Sequence, residues 1–190
     1  MTELEKYITA YFGKVEPAEL EIIVSFFKLS HLKKGDYFLQ SGKTADQLSF
    51  VQSGLLRVFA VIAEKEVTQW ISTRGYFITD LSGFIFGKPA RWNIQALTDV
   101  VLFTISRAGY YQIAELVPGW QKFEKLFIAK CFTMLEDRVF THLSMTAEER
   151  YSLFFEQNKE LFNQVPLQYL ASMLGMTPET FSRIRKKQLL

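Results

Sequence analysis

Glu179, Ser182, Arg183 and Lys186 are the set of side chains in this sequence whose types and spacing point most sharply to chemistry. At the α-helical step of about 100° per residue the four fall on one side of a helix, opposite Phe181 and Ile184. A guanidinium has the fork that pairs with guanine O6 and N7, and a carboxylate can accept a hydrogen bond from a cytosine amino group. Glu179 and Arg183 are therefore suited to reading base edges. Arg185, Lys186 and Lys187 suit phosphate oxygens, and Thr177 is counted with them among the expected DNA-binding residues. Glu179 and Arg183, four residues apart, can also pair with each other on the surface, and that pair would orient the arginine.

The elements that must hold such a face are legible just upstream. Two helices joined by a tight turn need a small residue where they cross, a glycine able to adopt positive φ, and apolar residues that lock one helix on the other. Ala171 is the small residue, Gly175 the turn glycine, and Leu170, Leu174, Met176, Phe181 and Ile184 fill the apolar positions. Thr177 is placed as an N-cap, and Pro178 sits at the first helical position, where its missing N–H costs nothing. The net charge of +2 conceals an uneven distribution: residues 177–190 hold four basic residues against Glu179 alone, so the rest of the chain sums to −1. The basic character is gathered where a polyanion could be met. This pattern predicts a helix-turn-helix in the last 25 or so residues of a chain of 190.

The remainder reads as a mixed domain. With 48% hydrophobic and 22% charged residues the composition is that of a folded protein, and no run reaches the roughly 18 apolar residues of a membrane span. The charged first ten residues do not resemble a signal peptide, so a cytoplasmic protein is expected. One cysteine, Cys131, excludes an intramolecular disulfide and a four-thiolate cluster. His31 and His142 are far apart in sequence and read as structural or solvated, so no metal site is expected. Residues 3–29 show helical spacing, with Pro17 near the start of a second helix running through Phe26 and Phe27. From Leu32 short apolar runs alternate with glycine: 37–39, 48–51, 55–62, 67–71, 93–96 and 100–105. Strands this short must roll into a sandwich or barrel to bury their faces. Ser106 is a plausible N-cap for a helical stretch to about His142, broken at Pro118-Gly119. Trp120, Phe123, Phe127, Cys131 and Met134 form its expected dimer stripe, which Leu126, Phe132, Leu135 and Val139 widen. Thr146 and Glu149 make a capping box opening a further helix.

The whole chain resembles the Crp/Fnr family, relatives of the bacterial cyclic AMP receptor protein. The resemblance rests on Lys34-Gly35-Asp36 with Gly42, on Phe50-Val51-Gln52-Ser53-Gly54-Leu55-Leu56-Arg57-Val58, and on Glu179-Thr180-Phe181-Ser182-Arg183. It implies an α+β protein: a cyclic-nucleotide-binding-type β-roll (a double-stranded β-helix or jelly roll), a long dimerisation helix and a winged DNA-binding domain whose Glu and Arg read bases. The expected domains are 1–105, 106–143 and 144–190. Because the chain stops at Leu190, the wing is expected to be absent or truncated.

In family members that bind cyclic nucleotides, a Gly-Glu pair and, after a short helix, an Arg-Ser pair hold ribose and phosphate. Here Thr79-Asp80 stands at the first pair, and Ala90-Arg91 puts the arginine one residue late. Ile78, Thr79, Asp80, Arg91 and Trp92 are the expected lining of an effector pocket that does not take cyclic AMP in the usual way; Arg91 could still supply a cation. Cofactors are expected to be none, or a cyclic nucleotide or other small effector. The expected partners are duplex DNA, a second copy and RNA polymerase, with no membrane. The alternative is a cyclic-nucleotide-binding module whose C-terminal helices contact a protein. No nucleophile elbow, P-loop or dinucleotide fingerprint suggests an enzyme.

Overall fold

The protein, seen as a computed structural model, is described over residues 1–188; Leu189 and Leu190, where the wing was expected to be cut short, lie outside the described residues. The Thr2–Glu5 capping box opens α1 (Glu3–Phe12), and proline at the first turn opens α2 (Pro17–Ser25). Eight strands follow: β1 (Lys28–Leu32), β2 (Tyr37–Leu39), β3 (Gln47–Ser53), β4 (Leu56–Ile62), β5 (Lys65–Ser72), β6 (Phe77–Ile78), β7 (Asn93–Ala96) and β8 (Val100–Ser106). They form two four-stranded sheets, ordered β1-β8-β3-β6 and β2-β7-β4-β5. Between β6 and β7 lies the short helix α3 (Leu81–Phe86). This is the expected mixed α+β roll.

The sequence pattern carried the second helix through Phe27, whereas α2 ends at Ser25 and Lys28 already belongs to β1. That strand is fixed by antiparallel pairing with β8, from Lys28 opposite Thr104 to Leu32 opposite Val100. No local periodicity announces such a contact. β3 explains why the sheet needs α1: four successive residues, Leu48 to Val51, are buried, so both its faces must be covered. Tyr7 and Tyr11 supply one cover, with rings 6.1 and 5.6 Å from that of Phe50. The hydroxyl of buried Ser49 bonds Thr104 at 2.7 Å, which in turn meets Ser30 at 2.6 Å. A buried hydroxyl is thereby satisfied across three strands.

Ser106 caps α4 (Arg107–Leu116) through the Gly109 N–H, and a break at Val117–Gly119 precedes α5 (Trp120–Ser144). Then come α6 (Ala147–Gln157), opened by the Thr146–Glu149 capping box, α7 (Leu161–Gln164), α8 (Leu167–Met173) and α9 (Pro178–Gln188). The chain divides into two compact units. One comprises Met1–Val58 and Ile71–Phe132. Its core includes Phe12, whose ring stacks on Trp120 at 5.3 Å and on Phe127 at 5.0 Å. The other joins Phe59–Trp70 to the described residues from Thr133 onward. In its core Phe181 meets Tyr151 at 5.1 Å and Phe162 at 5.8 Å.

Gly54, between β3 and β4, has φ +88°, and a Cβ there would overlap the Asp99 carbonyl oxygen and stand 2.9 Å from Val100 Cα. Gly35 has a similar φ of +94° with open space around it. Left-handed backbone alone disfavours a side chain by about 1–2 kcal/mol. Gly54→Ala should therefore destabilise the protein well beyond Gly35→Ala in urea denaturation; equal losses would show that the close approach is not rigid.

Candidate functional site

α8 ends in a turn that turns the chain into α9. The Gly175 N–H bonds the Ser172 carbonyl, the Met176 N–H reaches back to the Ala171 carbonyl at 3.0 Å, and Gly175 takes φ +69°. This is the left-handed helix end that glycine permits. Ala171 and Leu170 are wholly buried, as are Phe181 and Ile184, while Met176 is half-buried. Thr177 caps α9 by accepting the Thr180 N–H at 3.2 Å. Two arginines that the sequence pattern did not single out complete the turn. Arg138 donates to the Met173 carbonyl at 3.3 Å, and Arg150 to those of Leu174 at 2.9 Å and Met145 at 2.6 Å. They satisfy carbonyls that a helix end otherwise leaves open. Thr68 and Ser172 were also missed: the buried Thr68 N–H donates to Ser172 Oγ at 2.9 Å. Only the folded chain brings them together.

With Phe181 and Ile184 turned inward, Glu179, Ser182, Arg183 and Lys186 are all exposed and line one shallow concavity together with Pro178. Glu179 keeps its carboxylate below the usual range through hydrogen bonds from its own backbone N–H and from Thr177, so it stays an acceptor into mildly acid solution. Arg185 is half-buried. Lys187 Nζ is engaged by the Glu148 carboxylate at 3.1 Å, an exposed pair that must open before this lysine meets a phosphate.

The residues expected to line an effector pocket gather around α3, but with their polar groups turned to the protein. Asp80 is 1% exposed and accepts the Gly83 N–H at 2.9 Å and the Arg91 N–H at 2.7 Å. It is at once the N-cap of α3 and a tie to the strand-entry loop. Thr79 donates its hydroxyl to the Gln47 carbonyl at 2.8 Å. Ile78 and Ala90 are buried and apolar. Arg91 is exposed, its guanidinium over the Trp92 ring at 5.6 Å.

On α5 the expected stripe splits. Trp120, Phe123 and Phe127 are buried against residues of their own chain, since Tyr11 and Phe12 of α1 occupy the space a partner helix was expected to take. Placing those three in an intersubunit seam is corrected accordingly. Cys131 and Met134 are half-buried, and burial pushes the Cys131 thiol up to about 11. The face left open is Ile128, Phe132, Leu135, Val139 and Leu143, from 48% exposed at Ile128 to 81% at Leu143. Among the described residues no group of histidine, cysteine or carboxylate side chains could hold a metal ion, and no helix is long and apolar enough to cross a membrane.

Residues 29–116 match the family model of the cyclic nucleotide-binding domain. Comparison by sequence with curated proteins returns no match. Among solved structures, FixK2 from Bradyrhizobium japonicum superposes with a TM-score of 0.70 at 19% identity, covering 85% of this chain and 83% of its own. The c-di-GMP responsive global regulator CLP of Xanthomonas campestris gives 0.68 at 17% identity, with 92% of each chain covered. The catabolite activator protein of Thermus thermophilus gives 0.60 at 19% identity over 93% of this chain and 85% of that one. Identities this low carry the fold, and at that level the resemblance to Crp/Fnr regulators holds.

Removing the Asp80 carboxylate would strand two backbone donors. A buried group left without its partner costs about 1–3 kcal/mol. Asp80→Ala should lower stability by about 2–4 kcal/mol in chemical denaturation; a loss under 0.5 kcal/mol would mean water replaces the carboxylate freely.

Proposed function

We propose, from the premise of a chain whose residues 29–116 carry a cyclic nucleotide-binding domain, that this protein is a homodimeric transcription regulator of the Crp/Fnr type which reads duplex DNA with the open face of α9. The observation that carries the reading is the exposed row Glu179, Ser182, Arg183 and Lys186 on a helix locked from behind by buried Phe181 and Ile184. α8 and α9 then act as a helix-turn-helix, the recognition helix entering the major groove with Arg183 and Glu179 toward base edges. Thr177, Arg185 and Lys186 lie where phosphates would be met, and Lys187 joins them once released from Glu148. In this reading 1–105 is the sensor, 106–143 the dimerising segment and 144–190 the DNA-binding domain, of a non-enzymatic protein at work in the bacterial cytoplasm. RNA polymerase is its further partner.

One recognition helix covers one half-site, so a second copy is required. The open row on α5 repeats at intervals of four, three, four and four residues from Ile128 to Leu143, the spacing of a helix-to-helix seam. Cyclic AMP does not bind in the usual manner: Asp80 already holds two backbone N–H groups, and buried Ala90 stands where the arginine belongs.

Two outcomes follow. Leu135→Asp or Val139→Asp should convert the dimer to a folded monomer in sedimentation, because a charge in an apolar seam costs several kcal/mol; a dimer that persists would place the interface elsewhere. On a duplex selected from random sequence, Arg183→Ala should lose about 1–3 kcal/mol while binding random DNA nearly as before. Lys186→Ala should weaken both alike and lower the salt slope by about one. If wild-type protein bound no duplex at any salt, the alternative of α8 and α9 contacting a protein would replace this one.

A further inference from the structure

Outside the roll, three segments distant in sequence are tied together near the end of α3. The segment 41–46 runs against 86–92: the Gly42 N–H donates to the Ala90 carbonyl at 2.8 Å, the Ala90 N–H to that of Lys43 at 2.9 Å, and Thr44 pairs with Pro89. The start of α4 joins them, since the Arg107 N–H donates to the Asp46 carbonyl at 2.7 Å and the Tyr111 hydroxyl to that of Ile85 at 3.4 Å. Gly87 ends α3 with φ +67°, and its missing side chain leaves room for the Arg107 guanidinium, which would stand 3.4 Å from a Cβ there. Together the segments 41–46, 86–92 and 107–111 carry Lys43, Lys88, Arg91 and Arg107 against one acid, Asp46. Among the described residues none of these four cations has a carboxylate partner. With them stand two open rings, Phe86 at 71% and Tyr111 at 45% exposed.

Duplex DNA is a poor occupant for this surface, because phosphates call for cations and donors and not for an exposed phenyl ring. A single strand would stack its bases on ring faces, and here Lys88 and Arg107 lie over those of Phe86 and Tyr111, each at 5.9 Å. A second copy docked through the same patch about a two-fold axis would set cation against cation. None of the six residues lies on α5, whose open row is a separate surface feature. Aromatic side chains and arginine are the types enriched where proteins meet.

We propose that this surface docks an acidic segment of another protein, its carboxylates at Lys43, Lys88, Arg91 and Arg107 and an apolar side chain against Phe86 and Tyr111. The unanswered cations set the sign of the partner, since complementary charge steers the encounter and fixes its register. The open rings set the need for an apolar anchor beside the acids. The proposal stands on this geometry and charge alone, whether or not α9 reads DNA.

Fluorescence anisotropy with a labelled synthetic peptide in which Asp and Glu flank two Leu-Phe pairs tests it. The proteins are the full chain, a Phe86→Ser variant and a Lys88→Glu, Arg91→Glu double variant, all three side chains being exposed. The peptide should bind the wild type and weaken as salt rises. The double charge reversal should weaken it by about tenfold or more, and Phe86→Ser by about fivefold or more. On the wild type alone, replacing the peptide's acids by Asn and Gln, or its Leu-Phe pairs by Gly-Ser, should each weaken binding by a similar factor. No binding of the acidic peptide, equal affinity in all three proteins, or equal affinity of all three peptides would overturn the proposal. So would oligothymidylate that binds more tightly than the peptide and is lost in the same variants, which would give the surface to nucleic acid. A Phe86→Ser protein that sediments as a monomer beside a dimeric wild type would give it to a second copy and overturn the proposal as well.

Discussion

A helix of 25 residues with apolar side chains on two faces cannot bury both against one small roll, and α5 is such a helix. Its inner face is settled by aromatic packing: Trp120 and Phe127 sandwich Phe12, and Phe77 meets Phe127 edge-on at 5.0 Å. Rings of this kind contribute through both area and geometry. Elsewhere on α5, Phe132, Leu135, Val139 and Leu143 are exposed. A contiguous apolar strip of this length on a protein surface marks an interaction site. On the reading proposed above, a second copy covers this strip.

The same economy of partners governs the β-roll. A barrel of this type can receive an anion only if it presents free N–H groups and a cation, since an unpaired buried charge is strongly disfavoured. Asp80 takes up the N–H groups of Gly83 and Arg91, and Arg91 spends its guanidinium on Trp92 outside. At that position the polar groups are turned to the protein itself.

How much of this was legible beforehand depended on whether the cause was local. Ser106, the Thr146–Glu149 box, Ala171, Gly175 and the inward pair Phe181 and Ile184 each follow from neighbours in sequence, and each stands where its type demands. Periodicity could show that α5 had a wide stripe, but not which half of it α1 would cover, because Phe12 and Phe127 are more than a hundred residues apart. β1 was hidden for the same reason, its identity residing in β8. Nothing local marks Arg138 and Arg150, because the carbonyls of Met173 and Leu174 that receive them lie 35 and 24 residues away.

The central claim is that two copies of α9 read DNA together, and its most direct measurement is a map of contacts on a selected duplex. Two α9 faces brought together by α5 should protect two segments centred about 10 base pairs, one helical turn, or a multiple of that apart. Methylation of guanine N7 within each segment should block binding, since Arg183 is to pair there. A single protected segment, or binding indifferent to guanine methylation, would contradict the account.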